Sequence, residues 1–319
     1  MKSYAVVGGA GFIGSHFVSH LLQSDNKVVA IDNFCSGTMK HIDKHLSDPN
    51  FVLEKYDVTD TSRLSKSFIG VDTVIHLASN PDIARAATEP RVDFEQGTVL
   101  TESVAEAARL SGVKQILYAS GSGVYGDAGD SLLNEDSPIR PISTYGASKF
   151  AGETLLAAYS FMFGVKALVF RFANVVGPMQ THGVAYDFLR KLSINSDSLT
   201  ILGDGKQSKS YIHVSDVIDA VLSAEINCQD QFSAFNISTD QQISVTEIAN
   251  MCINSMGLSS KAVSVHYLGG DRGWKGDVPI VKLRSEKIRE MGWTPLYSSR
   301  EAILKSIESM IDQIRPNNA

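Results

Sequence analysis

Tyr145 and Lys149, four residues apart in the run Tyr-Gly-Ala-Ser-Lys, are the residues of this chain whose types and spacing most directly suggest chemistry. On a helix that spacing puts both side chains on one face. A lysine ammonium and an oxidised, positively charged hydride acceptor nearby both favour the phenolate, so the pair with its acceptor predicts a tyrosine whose pKa falls from about 10 toward working pH. Such a phenolate can take the proton of a hydroxyl group while hydride leaves the same carbon. The pair alone is a common accident of helix surfaces and gains meaning only where something nearby can accept the hydride.

A site for such an acceptor is written at the N-terminus. Val6-Val7-Gly8-Gly9-Ala10-Gly11-Phe12-Ile13-Gly14 places glycines directly after an apolar strand and at the mouth of a helix. One glycine allows the tight turn, another lets backbone approach a pyrophosphate, and the third lets helix pack on strand. The free N–H groups of the helix N-terminus then face the anion. Asp32 follows 18 residues after Gly14, at the end of the second strand, where a carboxylate accepts both ribose hydroxyls of an adenosine. A 2′-phosphate would meet that negative charge, and the next residue is Asn33 rather than arginine, so the expected cofactor is NAD and not NADP. Asp57-Val58 follows the third strand, where the adenine edge is expected.

These residues need a scaffold, and the hydrophobic pattern supplies it. Strands are expected at Tyr4–Val7, Lys27–Ile31, Phe51–Leu53, Thr73–Leu77, Gln115–Tyr118 and Lys166–Phe170, with helices beginning near Phe12, Thr61, Arg91 and Ser143. This alternation predicts an α/β fold with a doubly wound parallel Rossmann sheet buried on both faces. After Gly177-Pro178 the elements shorten and polar turns such as Gly203-Asp204-Gly205 separate them. The expected division is a cofactor domain over residues 1–176, with a return near 206–238, and a smaller mixed α/β substrate domain over 177–319.

Composition narrows the partners. The 319 residues are 43% hydrophobic and carry a net charge of −6, with scattered cations that cannot track a nucleic-acid backbone. Neither a signal peptide nor a run of roughly 18 apolar residues is visible, so a cytoplasmic protein without membrane spans is expected. Cys35, Cys228 and Cys252 fit neither a disulfide framework nor a zinc knuckle. The glycosylation-like Asn236-Ile237-Ser238 is read as chance. His41 and His45, one helical turn apart, lack a third ligand and are read as a polar helix face, with no metal expected. His76 is read as a hydrogen-bonded core residue, and residues 316–319 as a frayed tail.

Taken together, Gly8 to Gly14, Asp32-Asn33, His76-Leu77-Ala78-Ser79, Val124-Tyr125-Gly126, Tyr145 to Lys149 and Gly203-Asp204-Gly205 resemble the extended short-chain dehydrogenase/reductases over almost the whole chain. Within them the chain is most similar to the nucleotide-sugar epimerases, especially the UDP-glucose 4-epimerase branch. The resemblance implies oxidation of a sugar at C4, rotation of the ketone and reduction from the other face, on NAD that stays bound. It adds Ser36, Gly37, Leu77, Ala78, Ser79 and Phe172 to the expected NAD contacts. For the substrate it implies Asn174 and Lys209 at the diphosphate, and Arg272 and Asp277 at the diphosphate and nucleoside ribose. Apolar stripes near Gly97–Leu110 and Tyr145–Phe163 correspond to the helices through which relatives form homodimers.

One departure matters. The family's catalytic Ser or Thr stands three residues before the valine of Val-Tyr-Gly, and here that position is Gly121, flanked by Ser120 and Ser122. Ser122 is the favoured substitute, with Ser120 or a water as alternatives. The same segment has Ser122 and Gly123 where the 4,6-dehydratases carry an Asp-Glu pair, which disfavours dehydration. An atypical dehydratase or oxidoreductase of the same class, and a regulator that binds NAD without chemistry, are the competing readings. Val281 falls where 4-epimerases often place a tyrosine beside the sugar C2 substituent, and its small size predicts room for an N-acetyl group.

Overall fold

The computed structural model describes residues 1–259 and 261–314; the expected frayed tail lies outside the described residues. Seven parallel strands form the main sheet, in the spatial order Phe232–Ile237, Lys166–Phe172, Gln115–Gly121, Thr73–His76, Ser3–Val7, Lys27–Asp32, Phe51–Lys55. The chain starts in the middle, winds one way through the second and third strands, then crosses back and winds the other way. The reversal between Ser3–Val7 and Thr73–His76 is the switch point at which such sheets bind ligands, beyond the carboxyl ends of their strands.

Both faces of the sheet are covered, which is why its strands are almost continuously apolar. On one face Phe17, Val18 and Leu21 of helix Phe12–Gln23 pack with Val217, Ile218 and Val221 of helix Val214–Asn227. On the other, Leu64 and Phe68 join Val104 and Ala108 of helix Leu100–Ser111 and Leu156 of helix Thr144–Phe163. Burying side chains of this size stabilises the fold by about 1.5–3 kcal/mol each before conformational entropy is counted.

Past residue 176 the chain leaves the sheet and then comes back to it. Strand Phe232–Ile237 pairs in parallel with Lys166–Phe172 as the seventh strand. A small four-stranded sheet joins Ile243–Ser244, Ser208–Lys209, Ile280–Leu283 and Leu132–Leu133. The last of these strands comes from the first half of the sequence. A separate apolar cluster, including Phe188, Leu192, Ile248, Met251, Ile303 and Ile307, holds the C-terminal helices together.

The helix expected from Arg91 is present but not uniform. Arg91–Asp93 is α-helical, Phe94–Val99 is a π turn, and Leu100–Ser111 is α-helical again. Such π insertions mark places where a helix is widened to serve a site. Here the wide turn contains Gly97, where an added Cβ would strike the Ser148 hydroxyl, so this segment lies directly against the helix carrying Tyr145 and Lys149. The glycosylation-like Asn236 is fully buried and donates through Nδ2 to the Leu133 carbonyl at 3.2 Å. His41 and His45 sit in two short 3-10 turns rather than on a polar helix face. His41 is buried with its Nδ1 3.0 Å from the Ala10 carbonyl, because the second-strand exit folds back onto the glycine turn.

Candidate active site

A cleft of about 1350 Å³ opens at the switch point of the sheet. Its cofactor arm begins at the glycine turn. Gly8 has φ +84°, and an added Cβ would come within 2.9 Å of the Ala78 backbone nitrogen. A Cβ at Gly14 would drive into the Gly8 carbonyl. The turn is therefore as thin as backbone allows. Helix Phe12–Gln23 has no side-chain cap and no acidic residue in its first turn, leaving its leading N–H groups free for an anion. Gly8, Gly11, Phe12, Ile13 and Gly14 all face the cleft.

Asp32 ties the second strand to that turn. One carboxylate oxygen accepts from Ala10 N at 2.9 Å and the other from Phe34 N at 2.8 Å. Burial raises the Asp32 pKa and these amides oppose the rise. Each oxygen keeps a lone pair, enough for two ribose hydroxyls. Asn33 donates to Asp57 at 2.9 Å and so fixes the ends of the second and third strands together. Ser36, Asp57, Val58 and the segment Leu77-Ala78-Ser79 line the same arm, as does Phe172 at the end of its strand. Gly37 does not line it: it packs behind the turn, where a Cβ would meet Ala10. The thin glycine turn, the uncapped helix start and the strand-end carboxylate fit a dinucleotide whose 2′-hydroxyl is free.

Tyr145 and Lys149 lie on helix Thr144–Phe163, started by Ser143, whose hydroxyl accepts from Gly146 N at 3.1 Å. Both line the cleft, and the Lys149 nitrogen is 5.6 Å from the centre of the Tyr145 ring. Lys149 is buried and donates to the Ala119 carbonyl at 2.8 Å. Burial pulls its pKa down to about 8 against the opposing effects of Glu153 and Asp93. Lys149 alone does not give Tyr145 the lowered pKa expected of the pair together with its hydride acceptor. Burial pushes it up to about 12, with a hydrogen bond to Ser79 acting in the opposite direction. The reason is geometric: the ammonium points at a main-chain carbonyl, and removal of the phenol from water costs the phenolate more.

Strand Gln115–Gly121 delivers the three-residue segment that should hold the missing hydroxyl. Ser120 is buried and its Oγ donates to Glu153 at 2.5 Å. Ser122 opens the 3-10 turn Ser122–Val124, is half-buried and lines the cleft. Gly121 is extended at φ −159°, and a Cβ there would meet nothing nearer than the Phe172 carbonyl at 3.9 Å. A side chain at position 121 therefore has room.

The other arm of the cleft holds the expected substrate residues. Asn174 is exposed in strand Asn174–Val176 and lines it. Lys209 and Asp277 form an ion pair at 2.5 Å, and Asp277 also accepts from Gly273 N at 3.0 Å. Val281 is 8% exposed, pairs in register with Lys209 and lines the cleft. Arg272 departs from expectation. It does not line the cleft, because its guanidinium donates to the Asp277 carbonyl at 2.7 Å and to Asp127 at 2.5 Å, bracing the loop from behind. Trp274 stands on the wall instead. Sequence reasoning passed over it, although a tryptophan between two glycines in a loop of charged residues was a usable signal.

Residues 4–238 match the NAD dependent epimerase/dehydratase family. Over 311 residues the chain is 30% identical to a UDP-glucose 4-epimerase from Mycolicibacterium smegmatis, with 95% of this chain and 96% of that protein covered. A crystal structure of a UDP-galactose 4-epimerase superposes with a TM-score of 0.87 at 37% identity, covering 98% of this chain and 99% of that one. A UDP-N-acetylglucosamine 4-epimerase from Methanobrevibacter ruminantium, in complex with UDP-N-acetylmuramic acid, superposes with a TM-score of 0.87 at 25% identity, covering 98% and 99%. No helix among the described residues is long and apolar enough to cross a membrane.

The position of Asp32 generates a prediction for the cofactor arm. Titration calorimetry on protein stripped of nucleotide should give NAD an affinity at least about tenfold above that of NADP, since an opposed 2′-phosphate costs more than about 1.4 kcal/mol. Equal affinities would remove Asp32 from the ribose site.

Proposed function

Because the chain belongs to the NAD dependent epimerase/dehydratase family, we propose that it is a 4-epimerase of a nucleotide-activated sugar, either a UDP-hexose or a UDP-N-acetylhexosamine, working through a transient 4-keto sugar. One observation carries this reading: Tyr145, Lys149 and Ser122 share a single cleft with Asn174, Lys209 and Asp277. The UDP-sugar 4-epimerases similar to this chain support the choice of nucleotide and of carbon.

When bound on the Gly8–Gly14 turn and Asp32, the dinucleotide supplies the redox partner for the sugar C4. Tyr145 takes the C4 hydroxyl proton as that carbon is oxidised and returns it when the ketone is reduced, so no proton is consumed over a cycle. In the protein alone Tyr145 stays a phenol, with its pKa near 12. It becomes a base only when further positive charge stands beside it, which ties proton removal to the loaded state. Lys149 keeps the phenol in place from below, and Ser122 hydrogen-bonds the C4 oxygen in place of the hydroxyl absent at Gly121.

Asn174, Lys209 and Asp277 hold the diphosphate and nucleoside ribose, with Lys209 sharing its charge between Asp277 and phosphate. Neither Ser122 nor Gly123 can titrate as the acid/base pair of a 4,6-dehydratase, which favours epimerisation. Phe161, Met162, Phe163 and Leu110 are exposed apolar residues on the two helices of the expected interface, and they support a homodimer.

Four substitutions test the reading. Tyr145→Phe is expected to lower kcat by about 10²-fold or more while NAD affinity, measured separately, stays near wild type; retained turnover would take the base role from Tyr145. Gly121→Ser should preserve or raise kcat, and Ser122→Ala should lower it by about 10²-fold; an unchanged rate in Ser122→Ala would pass the role to water. Val281→Tyr should suppress turnover of UDP-N-acetylglucosamine far more than of UDP-glucose, because steric exclusion discriminates more strongly than an added contact. Parallel losses on both sugars would refute the gatekeeper role.

A further inference from the structure

Tyr145, Lys149 and Glu153 follow one another at four-residue intervals on helix Thr144–Phe163, forming a stripe that ends in a buried carboxylate. The lower two clamp consecutive residues of strand Gln115–Gly121. Lys149 donates to the Ala119 carbonyl at 2.8 Å, and Glu153 accepts from the Ser120 hydroxyl at 2.5 Å. The next residue is Gly121, where the turn bearing Ser122 begins.

We propose that Glu153 is a positioning residue of the acid/base machinery, holding Lys149 as an ammonium and fixing the Ser120–Ser122 segment in register beneath Tyr145; this rests on the reading of Tyr145 and Lys149 given above. Arg171 pairs with the carboxylate in the core. Its Nε lies 3.1 and 3.2 Å from the two Glu153 oxygens and its Nη2 lies 2.7 Å from one of them. The same guanidinium donates to Tyr125 Oη at 2.8 Å and to the Glu135 carbonyl at 3.0 Å. Tyr125 Oη in turn donates to Asn236 at 2.7 Å. The network thus spans the fifth, sixth and seventh strands and the turn after the fifth.

A buried pair of this kind is a poor source of net stability, since apolar residues of similar volume often do as well. What apolar residues cannot supply is a negative charge next to Lys149. The other groups facing that ammonium give little help. Tyr118 and Tyr145 present ring faces at 5.2 and 5.6 Å. His76, fully buried on the fourth strand, is held neutral by burial, with its pKa driven down to about 3. Asp93 faces it from the widened helix, but already accepts from Asn80 at 2.8 Å and from Thr144 at 2.7 Å. Glu153 opposes the desolvation of Lys149 more than Asp93 does. The network also explains Ser120: its hydroxyl hydrogen is committed to Glu153, which leaves Ser122 for the substrate.

The test is Glu153→Gln in the full chain loaded with NAD. Carbon-13 NMR of protein labelled at the lysine Cε, with the Lys149 signal assigned by its loss in Lys149→Met, reads the titration directly. The Lys149 midpoint is expected to fall by about one pH unit, a tenfold change in its proton affinity. The descending limb of log kcat against pH should move down with it, while KM for UDP-glucose stays near wild type. A residue that only packs would lower kcat equally at all pH values and leave the midpoint in place, and that result overturns the proposal. If Glu153→Gln does not fold, Glu153→Gln/Arg171→Met removes the pair together, and its midpoint is expected to fall as well; an unmoved midpoint there also overturns the proposal. A shifted midpoint in a protein that epimerises no UDP-sugar supports the role of Glu153 and sinks the function proposed above.

Discussion

The hydrogen bond from Lys149 to the Ala119 carbonyl is the contact on which most of the site depends. It takes an ammonium out of water and fixes it against the main chain of a central strand, so helix Thr144–Phe163 cannot slide or rotate without breaking a charge-assisted bond in a buried place. Once that bond is made, Tyr145 must lie one turn above it in the cleft, and Gly121 and Ser122 must lie two and three residues beyond Ala119 on the strand side. Glycines make the approach possible. At Gly146 a Cβ would strike the Gly123 carbonyl, and at Gly152 it would strike the Tyr118 hydroxyl. Bulkier residues would hold helix and strand too far apart for the lysine to reach.

Burial also sets the resting chemistry. The low-dielectric surroundings disfavour both charged forms, raising Tyr145 and lowering Lys149. A site prepared in this way responds to a charge brought close, because the burial of Lys149 weakens the screening around it. Under the function proposed above, that suits a reaction in which a reactive keto sugar must be held until it is reduced again.

On the substrate arm the charges are matched in advance. Lys209 is bound to Asp277 and Arg272 to Asp127, so the loop from 271 to 277 has a defined shape without ligand. Under the function proposed above, a diphosphate arriving there competes with carboxylates instead of filling an empty cationic pocket. Part of its electrostatic attraction is offset, and the site gains preorganisation in return.

The sequence alone determined the doubly wound sheet, the glycine turn with Asp32, and the Tyr145-Lys149 pair. These are local: strand and helix periodicity, thin backbone at a turn, and residues four apart on one helix act over short spans of chain. A return segment was expected near 206–238, and strand Phe232–Ile237 pairs at the sheet edge. Tertiary structure decided everything that depends on which distant group lies alongside. It turned Arg272 away from the cleft toward Asp127, put Trp274 on the wall, and took Ser120 from the list of available hydroxyls by giving it to Glu153, 33 residues away. It also buried Tyr145 deeply enough that Lys149 by itself does not lower its pKa. Spacing along a helix says which side chains share a face, but the balance between a neighbouring charge and lost hydration is set by the depth at which packing buries them.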